Sequence, residues 1–236
     1  MTQSLDRPPL PRATSPRATT PQAVPHTLWR LAGILALAHV VLIFAGIALQ
    51  NAARLDEGLG GVERAYVEGN LARTMTGGYV ELIGFLLLVP VLVFLARVVG
   101  RRTEAGRWAT QTALMAGIGY VVLTFAPGMA AGAAAMYGAQ HDADLGTALM
   151  MNNLRVLTYV VSLLLLGAHA IGLGVAAVID GELNRWVGWG GLVTGAALFV
   201  AVPLAAANLH DYGTLVWIVW WVGVAVTLLR HHPTEE

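Results

Sequence analysis

The sequence predicts an all-α membrane protein, a bundle of about six transmembrane helices with both termini in the cytoplasm. Of its 236 residues, 56% are hydrophobic and 12% are charged, and the mean hydropathy is +0.64. Soluble domains carry roughly 25% charged residues. The apolar residues also fall into separate runs of about 20 residues, the length that a helix needs to cross about 30 Å of hydrocarbon. We therefore expect the chain to bury this apolar surface in a lipid bilayer.

Six apolar runs predict the spans in order: 28–50, 77–97, 108–128, 153–179, 186–206 and 212–230. Among the connections, 51–76 and 128–152 are long enough to hold structure of their own. The second of these is rich in Gly and Ala, and the sequence leaves open whether it is a loop, a helix extension or a re-entrant segment. Pro90, Pro127 and Pro203 lie where each would kink or end a helix, because proline removes a backbone hydrogen bond.

The two ends of the chain differ from the membrane domain, which we place at residues 27–230. Residues 1–26 are rich in Pro, Thr, Ser and Arg and hold too little apolar surface to fold, so they predict a disordered tail. Residues 231–236 predict a short cytoplasmic tail. The first apolar run lacks a small-residue cleavage signal, which indicates an uncleaved span.

Arginine counting predicts the orientation, because cytoplasmic flanks retain positive charge during insertion. With the N-terminus inside, ten of the 14 basic residues lie in cytoplasmic segments, and only Arg54, Arg64, Arg73 and Arg155 lie outside. The tryptophans at the inner interface agree with this orientation; they are Trp29, Trp108, Trp186 and Trp189.

Composition also restricts the chemistry and the partners. The net charge is zero, so nothing indicates a nucleic-acid partner, and the absence of cysteine and lysine excludes thiolate, Cys-zinc and Schiff-base chemistry. The partner that the composition does predict is the lipid bilayer. Small residues at helical spacing, such as Gly128/Gly132 and Gly191/Gly195, favour close helix packing, and a homo-oligomer or a second membrane protein stays open as a partner.

Glu81 and Arg155 are charged residues that lie a few residues inside the outer ends of predicted spans. A charge within a span is a functional hypothesis by default. One interpretation is a structural ion pair between them, helped by Asn152 and Asn153. A second makes them the floor of an outward-facing polar cavity, and a third pairs Arg155 with a lipid phosphate.

A polar stripe runs along the fourth predicted span. Arg155, Ser162 and His169 recur every seven residues, and Tyr159 lies one turn from Arg155. His169 and His39 are predicted at nearly equal depth near the midplane, which is what a b-type haem requires of two axial imidazoles. The alternatives are a proton relay or ligand contact, and buried histidines hydrogen-bonded across helices.

Two His–Asp clusters occupy the predicted outer loops. The first consists of His141, Asp142 and Asp144, and the second of His210 and Asp211. Imidazole and carboxylate groups are suitable zinc ligands, and a zinc ion that is accessible to water activates a bound water molecule. The alternative is ordinary solvated loop polarity.

Three features resemble a family of bacterial six-helix integral membrane proteins known as a domain of unknown function. They are Leu28-Trp29-Arg30-Leu31-Ala32-Gly33-Ile34, the outer loop before a Leu- and Val-rich second span, and Asn184-Arg185-Trp186-Val187-Gly188-Trp189. The resemblance covers residues 26–230. It implies a bacterial origin and a multi-pass protein of the cytoplasmic (inner) membrane, and it carries no catalytic residue over to this chain.

These observations favour a non-enzymatic membrane protein whose bundle binds a small or lipophilic ligand or supports a partner. The residues expected to line the binding region are Glu81, Arg155, Tyr159, Ser162, His169 and His39. Three alternatives stay open: a membrane transporter, a b-type haem redox protein that uses His39 and His169, and a metal-dependent membrane hydrolase that uses the outer His–Asp clusters.

Overall fold

The computed structural model describes residues 24–141, 144–207 and 209–230, and in these residues the chain is helical without β-strands. Helix accounts for 87% of the structure. The α-helices of the described residues are α1 (His26–Leu49), α2 (Gly58–Val62), α3 (Leu71–Val98), α4 (Glu104–Leu123), α5 (Met129–Gln140), α6 (Leu145–Asp180), α7 (Arg185–Ala201) and α8 (His210–Arg230). Two π-helical turns, Glu63–Val67 and Thr124–Gly128, and one 3₁₀ turn, Pro203–Ala207, join them. The predicted tails fall almost wholly outside the described residues.

Five helical segments among the described residues are long and apolar enough to cross a membrane, which confirms the prediction of a multi-pass helical protein. They are α1, α3, the continuous segment Glu104–Gln140, α6 and α8. The remaining predicted span corresponds to α7, whose 17 residues extend about 25 Å. It ends just before Pro203, where the chain turns into the 3₁₀ segment. The sixth span and the orientation stay predictions.

The long helices form a closed ring in which each packs on two neighbours. The order around the ring is α3, α1, α8, α7, α6, α4 and back to α3. Leucines and tryptophans fill its centre, including Leu88, Leu92, Leu166 and Trp221. Gly33 near the start of α1 lies against Leu229 near the end of α8, so the first and last helices place the two described chain ends at the same end of the bundle.

Close approach between helices depends on glycine at several crossings. A Cβ at Gly77 of α3 would lie 2.7 Å from the carbonyl oxygen of Gly46 on α1, and a Cβ at Gly195 of α7 would lie 2.7 Å from that of Gly167 on α6. Gly132 serves another purpose, because its Cβ would lie 2.7 Å from Cδ of Arg155. This glycine therefore leaves room for an arginine side chain.

The described residues of the segment 128–152 are helical except His141 and Asp144, which lie between α5 and α6. The π-helical turn at Thr124–Gly128 joins α4 to α5, so Glu104–Gln140 is continuous and about 55 Å long, and the 36-residue α6 is about 54 Å long. Both exceed the roughly 30 Å of a hydrocarbon core. They extend at the same end, where Val62 and Tyr66 pack with Ala135 and Ala148. We call residues 51–70, Met129–Gln140 and 145–155 the cap.

The opposite end of the bundle is closed by a buried carboxylate. Asp180, the last residue of α6, is 4% exposed and accepts hydrogen bonds from the backbone N–H groups of Arg102 and Thr103 at 2.7 and 3.3 Å and from the Thr103 hydroxyl at 2.7 Å. Thr103 itself caps α4 by accepting from the Gly106 N–H. Asp180 therefore ties the end of α6 to the start of α4.

Candidate functional site

Two cavities lie where the cap meets the ring of helices, and they share one polar wall. We define the polar wall as Gln50, Glu81, Arg155 and Tyr159, which line both cavities. The cavities have volumes of about 260 and 300 Å³. Small-molecule sites usually measure roughly 300–1,000 Å³, so each cavity has room for a small polar group and not for a large ligand.

The first cavity, which we call the lateral crevice, lies between α3 on one side and α5 with the preceding π-helical turn on the other. Met75 and Tyr79 of α3 line it and are 47% and 64% exposed, so the crevice opens sideways from the bundle. Gly78, Gly128 and other small residues face it and leave it wide. Thioether and methyl groups make most of its surface apolar.

The second cavity, which we call the inner cavity, lies inside the ring between α1, α3, α6 and α8. His39, Tyr120, Asp211, Thr214 and Trp217 line it beside the polar wall. A further cavity of about 260 Å³ continues from Tyr159 and Asp211 towards the 52–55 loop. The polar wall thus has the sideways-opening crevice on one side and a polar interior on the other.

Glu81 and Arg155 lie together in this wall, but the ion pair between them that we predicted is wrong. None of the ion pairs within 4.0 Å among the described residues includes either side chain. Glu81 instead accepts a hydrogen bond of 2.6 Å from Nε2 of Gln50 on α1. Arg155 turns towards the cap, where the carbonyl oxygen of Ala53 and the amide of Asn152 offer oxygen acceptors. Both charges are therefore held by neutral groups.

Arg155 also helps to connect the 51–70 segment of the cap to α6, together with Asn152, a fully buried residue one turn earlier on α6. Nε and Nη2 of Arg155 donate to Asn152 Oδ1 at 3.3 and 3.2 Å, and Nη2 donates to the carbonyl oxygen of Ala53 at 3.0 Å. The Tyr66 hydroxyl donates to the same Asn152 oxygen at 2.6 Å, and Gln140 Nε2 donates to the Tyr66 carbonyl at 2.9 Å. One amide oxygen thus joins the 51–70 segment to α6.

The polar stripe of α6 divides into two parts. Tyr159 faces the cavities, and its hydroxyl lies 2.6 Å from Thr214 Oγ1 on α8. Ser162 is fully buried outside both cavities; its hydroxyl donates to the Tyr159 carbonyl at 2.7 Å and accepts from Thr124 at 3.0 Å. Ser162 therefore stabilises the π-helical turn of the third span and does not reach the cavities.

His39 and His169 do not form a common site. Each Nδ1 contacts a backbone carbonyl oxygen on a neighbouring helix, that of Gly84 at 2.8 Å for His39 and that of Ala113 at 2.9 Å for His169. A carbonyl only accepts, so each Nδ1 carries the proton. These are the cross-helix hydrogen bonds named above as an alternative to haem binding. His39 lines the inner cavity, and His169 does not.

A b-type haem between these two imidazoles does not fit the residues present. The indoles of Trp217 and Trp221 stack with their centroids 5.3 Å apart, and both are buried. Trp217 contacts the His39 ring edge-on at 5.8 Å, and Trp221 contacts the His169 ring at 5.8 Å. Two indoles therefore separate the two histidines along this row of rings.

The two His–Asp clusters have local structural partners. His141 stacks on Tyr137 with a centroid distance of 3.9 Å, and Asp144 caps α6 by accepting from the backbone N–H of Thr147. The hydrogen bond from the Thr147 hydroxyl, followed by that from its N–H, lowers the pKa of Asp144 below its usual 3.8. His210 Nε2 lies 3.6 Å from Asp211 Oδ1.

Within the described residues, no group of three or more His, Asp or Glu side chains is placed to hold a metal ion. Asp142, which we named as a candidate ligand, lies outside these residues. The hydrolase hypothesis therefore has no ligand set among the side chains that the structure describes.

Sequence reasoning missed Gln50, Tyr66 and Thr214, each of which bonds to a predicted site residue or to its neighbour. Gln50 directly follows α1, at the end of the first predicted span, and Tyr66 lies in the connection before α3. Neither has a periodic pattern that points to its partner, which is 31 or 86 residues away along the chain.

The fold and the cavities define this chain as a multi-pass helical bundle of the membrane type with a polar site beneath a helical cap. Comparisons with protein-family models, curated proteins and solved structures found no match. The resemblance to a bacterial six-helix family stays a prediction.

Proposed function

We propose that the protein is a six-span protein of the bacterial cytoplasmic membrane, with both termini inside, and that it binds a small amphipathic molecule at the polar wall. The topology and the binding site are separate parts of this proposal. Each has its own support and its own experiment.

The length of α7 with its extension supports a sixth span. The 17 residues of α7 extend about 25 Å, and the five residues of Pro203–Ala207 add about 10 Å as a 3₁₀ turn. Together they exceed the thickness of a hydrocarbon core of about 30 Å. The position of Gly33 beside Leu229 also favours an even number of crossings, because it places the ends of α1 and α8 on the same side.

The absence of native cysteine makes the topology testable with single-cysteine variants. A membrane-impermeant maleimide should label Asp56→Cys and Leu209→Cys in intact cells, and Glu104→Cys only after lysis. If Asp56→Cys is labelled in intact cells but Leu209→Cys reacts only after lysis, α7 does not cross the membrane. If Glu104→Cys is the variant labelled in intact cells, the orientation is reversed.

The binding proposal rests on one observation: the polar wall lies between the lateral crevice, which opens sideways, and the polar inner cavity. Glu81 and Arg155 line both cavities, and among the described residues neither has an oppositely charged partner within 4.0 Å. Charged groups within spans are energetically unfavourable unless they face protein or a water-filled cavity, and they mark functional sites. An amphipathic molecule would place its polar group at the wall and its apolar part in the lateral crevice.

The binding proposal is tested by filling the lateral crevice. A Cβ at Gly78 would have no atom within 4 Å, so Gly78→Phe introduces a ring there without displacing backbone. Leu86→Phe is the matched control, because Leu86 lies on the same helix, is 52% exposed and lines neither cavity. We expect wild type and Leu86→Phe, purified in mild detergent, to retain a small amphiphile detected by mass spectrometry, and Gly78→Phe to lose it.

Two results would contradict the binding proposal. One is equal retention of the amphiphile by Gly78→Phe and Leu86→Phe. The other is a wild-type protein that retains no small molecule and is not stabilised against thermal unfolding by monoacyl lipids.

Transport of the bound molecule is the second candidate function, and one observation favours it. The third spanning segment contains the π-helical turn Thr124–Gly128, and its Thr124 and Gly128 line the lateral crevice. Such turns within α-helices often lie at functional sites. Flux of the retained amphiphile in proteoliposomes, lost in Glu81→Gln, would support transport; binding without flux would contradict it.

A further inference from the structure

The polar wall contains one positive and one negative side chain, Arg155 and Glu81, and each has polar atoms left over for a ligand. Arg155 uses Nε and Nη2 for its hydrogen bonds to Asn152 and Ala53, and its Nη1 makes no hydrogen bond to any described residue. Since a guanidinium carries five N–H donors, two of them stay available. The acceptors of Arg155 are neutral oxygens, and no described carboxylate lies within 4.0 Å of its guanidinium nitrogens.

Glu81 on α3 is the negatively charged side chain of the wall, and its carboxylate also has a neutral partner. Its Oε2 accepts one hydrogen bond from the neutral amide of Gln50, and its Oε1 accepts none within the described part of the chain. Asp211 is the other carboxylate of the inner cavity, but its side chain is 62% exposed and lies beside His210. Of the two carboxylates, only Glu81 also lines the lateral crevice.

A ligand with a single charge fits this wall poorly. An anion attracted to Arg155 would also approach the Glu81 carboxylate, and a cation attracted to Glu81 would approach the guanidinium. A group that carries both charges would compensate both side chains at once. Phosphate suits the forked donors of arginine, and a primary ammonium donates to carboxylate oxygens.

The size and position of the lateral crevice indicate where the rest of such a ligand lies. A volume of about 260 Å³ accommodates a headgroup but not a whole lipid. The crevice opens at Met75 and Tyr79, on the exposed side of α3. An acyl chain attached to a headgroup at the wall would therefore leave through this opening and lie against the outside of the bundle.

We propose that the polar wall binds the zwitterionic phosphate–ammonium headgroup of a membrane lipid, which enters from the bilayer through the lateral crevice. The phosphate contacts Nη1 of Arg155, and the primary ammonium contacts the carboxylate of Glu81. This inference rests on the proposed binding function and specifies its ligand class.

The test uses probes that share one oleoyl chain and differ only in the headgroup, with binding measured on detergent-purified protein. The probes are lysophosphatidylethanolamine, lysophosphatidylcholine, lysophosphatidate, oleylamine and monoolein. We expect the ethanolamine lipid to bind at least tenfold more tightly than the anionic, cationic and neutral probes. Its quaternary choline analogue should also be weaker, because it lacks N–H donors for Glu81.

Substitutions of Glu81 and Arg155 test which side chain contacts the ammonium and which contacts the phosphate. Glu81→Gln should abolish the preference for lysophosphatidylethanolamine over lysophosphatidate, whereas the matched control Glu104→Gln, at a side chain that is 85% exposed and lines neither cavity, should preserve it. Arg155→Gln should weaken both phosphate probes at least tenfold, and Arg155→Lys should restore part of the loss. Since Arg155 also holds the cap, the thermal midpoint of each variant without ligand is measured first, and Glu81→Gln keeps the test decisive if Arg155→Gln is unfolded.

The outcomes separate this inference from the function on which it rests. Equal binding of monoolein or tighter binding of lysophosphatidate would overturn the zwitterion assignment while leaving amphiphile binding in place. Equal binding of free phosphoethanolamine would overturn the lipid source in favour of a soluble ligand. Binding of none of the probes, with no amphiphile retained on purification, would overturn both.

Discussion

The crossing of α1 and α3 beside the polar wall provides a sharp test of the packing, because Gly77 and Gly78 are adjacent and meet different surroundings. A Cβ at Gly77 would lie 2.7 Å from the Gly46 carbonyl oxygen, 2.8 Å from Gln50 Cγ and 3.0 Å from Gln50 N. A Cβ at Gly78 would have no atom within 4 Å. The same substitution to alanine therefore has opposite consequences at the two positions.

The expected magnitudes follow from these contacts. Alanine stabilises a helix by up to about 1 kcal/mol relative to glycine. At Gly77 this gain is offset by overpacking against backbone atoms, which costs typically 1–3 kcal/mol. We expect Gly77→Ala to be less stable than Gly78→Ala by about 2 kcal/mol, or roughly 4–8 °C in thermal midpoint by the scaling of domains of this size.

Reversible unfolding in mixed detergent micelles measures this difference. Glu81 binding to Gln50 should also weaken in Gly77→Ala, because the new methyl group meets the Gln50 side chain. Equal stability of the two variants would refute the close crossing of α1 and α3. A more stable Gly77→Ala would refute it as well.

Three further predictions concern the two ends of the bundle. Asp180→Ala should lower the free energy of unfolding by about 2–4 kcal/mol, because hydrogen bonds to a charged acceptor contribute about 1.5–3 kcal/mol each and are not additive. The control is Asp56→Ala, since the Asp56 side chain is 58% exposed. The hydrogen bonds to Asp144 lower the pKa of its carboxyl group in the folded state, so they stabilise the fold at pH values above the unfolded pKa near 3.8. This stabilisation is lost as the pH falls through the lower pKa of the folded state. In a series of unfolding midpoints measured at decreasing pH, Asp144→Ala should therefore lose less stability at acid pH than the wild type. Tyr66→Phe removes the 2.6 Å bond to Asn152, worth about 1 kcal/mol, and should speed tryptic cleavage within the 51–70 segment about fivefold; an unchanged rate would mean that this bond does not close the cap.

Much of the fold is readable from hydropathy, but helix lengths are not. The second span was predicted from residue 77, whereas α3 begins at Leu71, because Asn70 caps it by accepting from the Arg73 N–H. The Gly- and Ala-rich segment after Pro127 has no strong pattern and yet is helical, since tertiary packing against the 51–70 segment and α6 buries Ala135 and Ala148. Short α7 reflects Pro203, which the sequence correctly marks as a helix-ending residue.

The site was predictable as a set of charges but not as a network. Glu81 and Arg155 stand out because charges are rare in apolar runs, and their placement in one wall agrees with their predicted depth. Their partners do not stand out, because Gln50 and the Ala53 carbonyl belong to ordinary loop and helix-end sequence. Equal depth in the membrane also says nothing about rotation around the helix axis, and this is why His39 and His169 were grouped although two indoles separate them.

Arg155 connects the closing of the cap to the filling of the cavities. Its Nε and Nη2 hold Asn152 and the Ala53 carbonyl, while Nη1 stays available on the same rigid guanidinium. Because the guanidinium is planar, a ligand that fixes Nη1 also fixes the donors that hold the cap. Binding at the polar wall should therefore stabilise the closed cap by the same free energy with which the closed cap strengthens binding. The cap is then a part of the binding site, which a headgroup reaches through the lateral crevice.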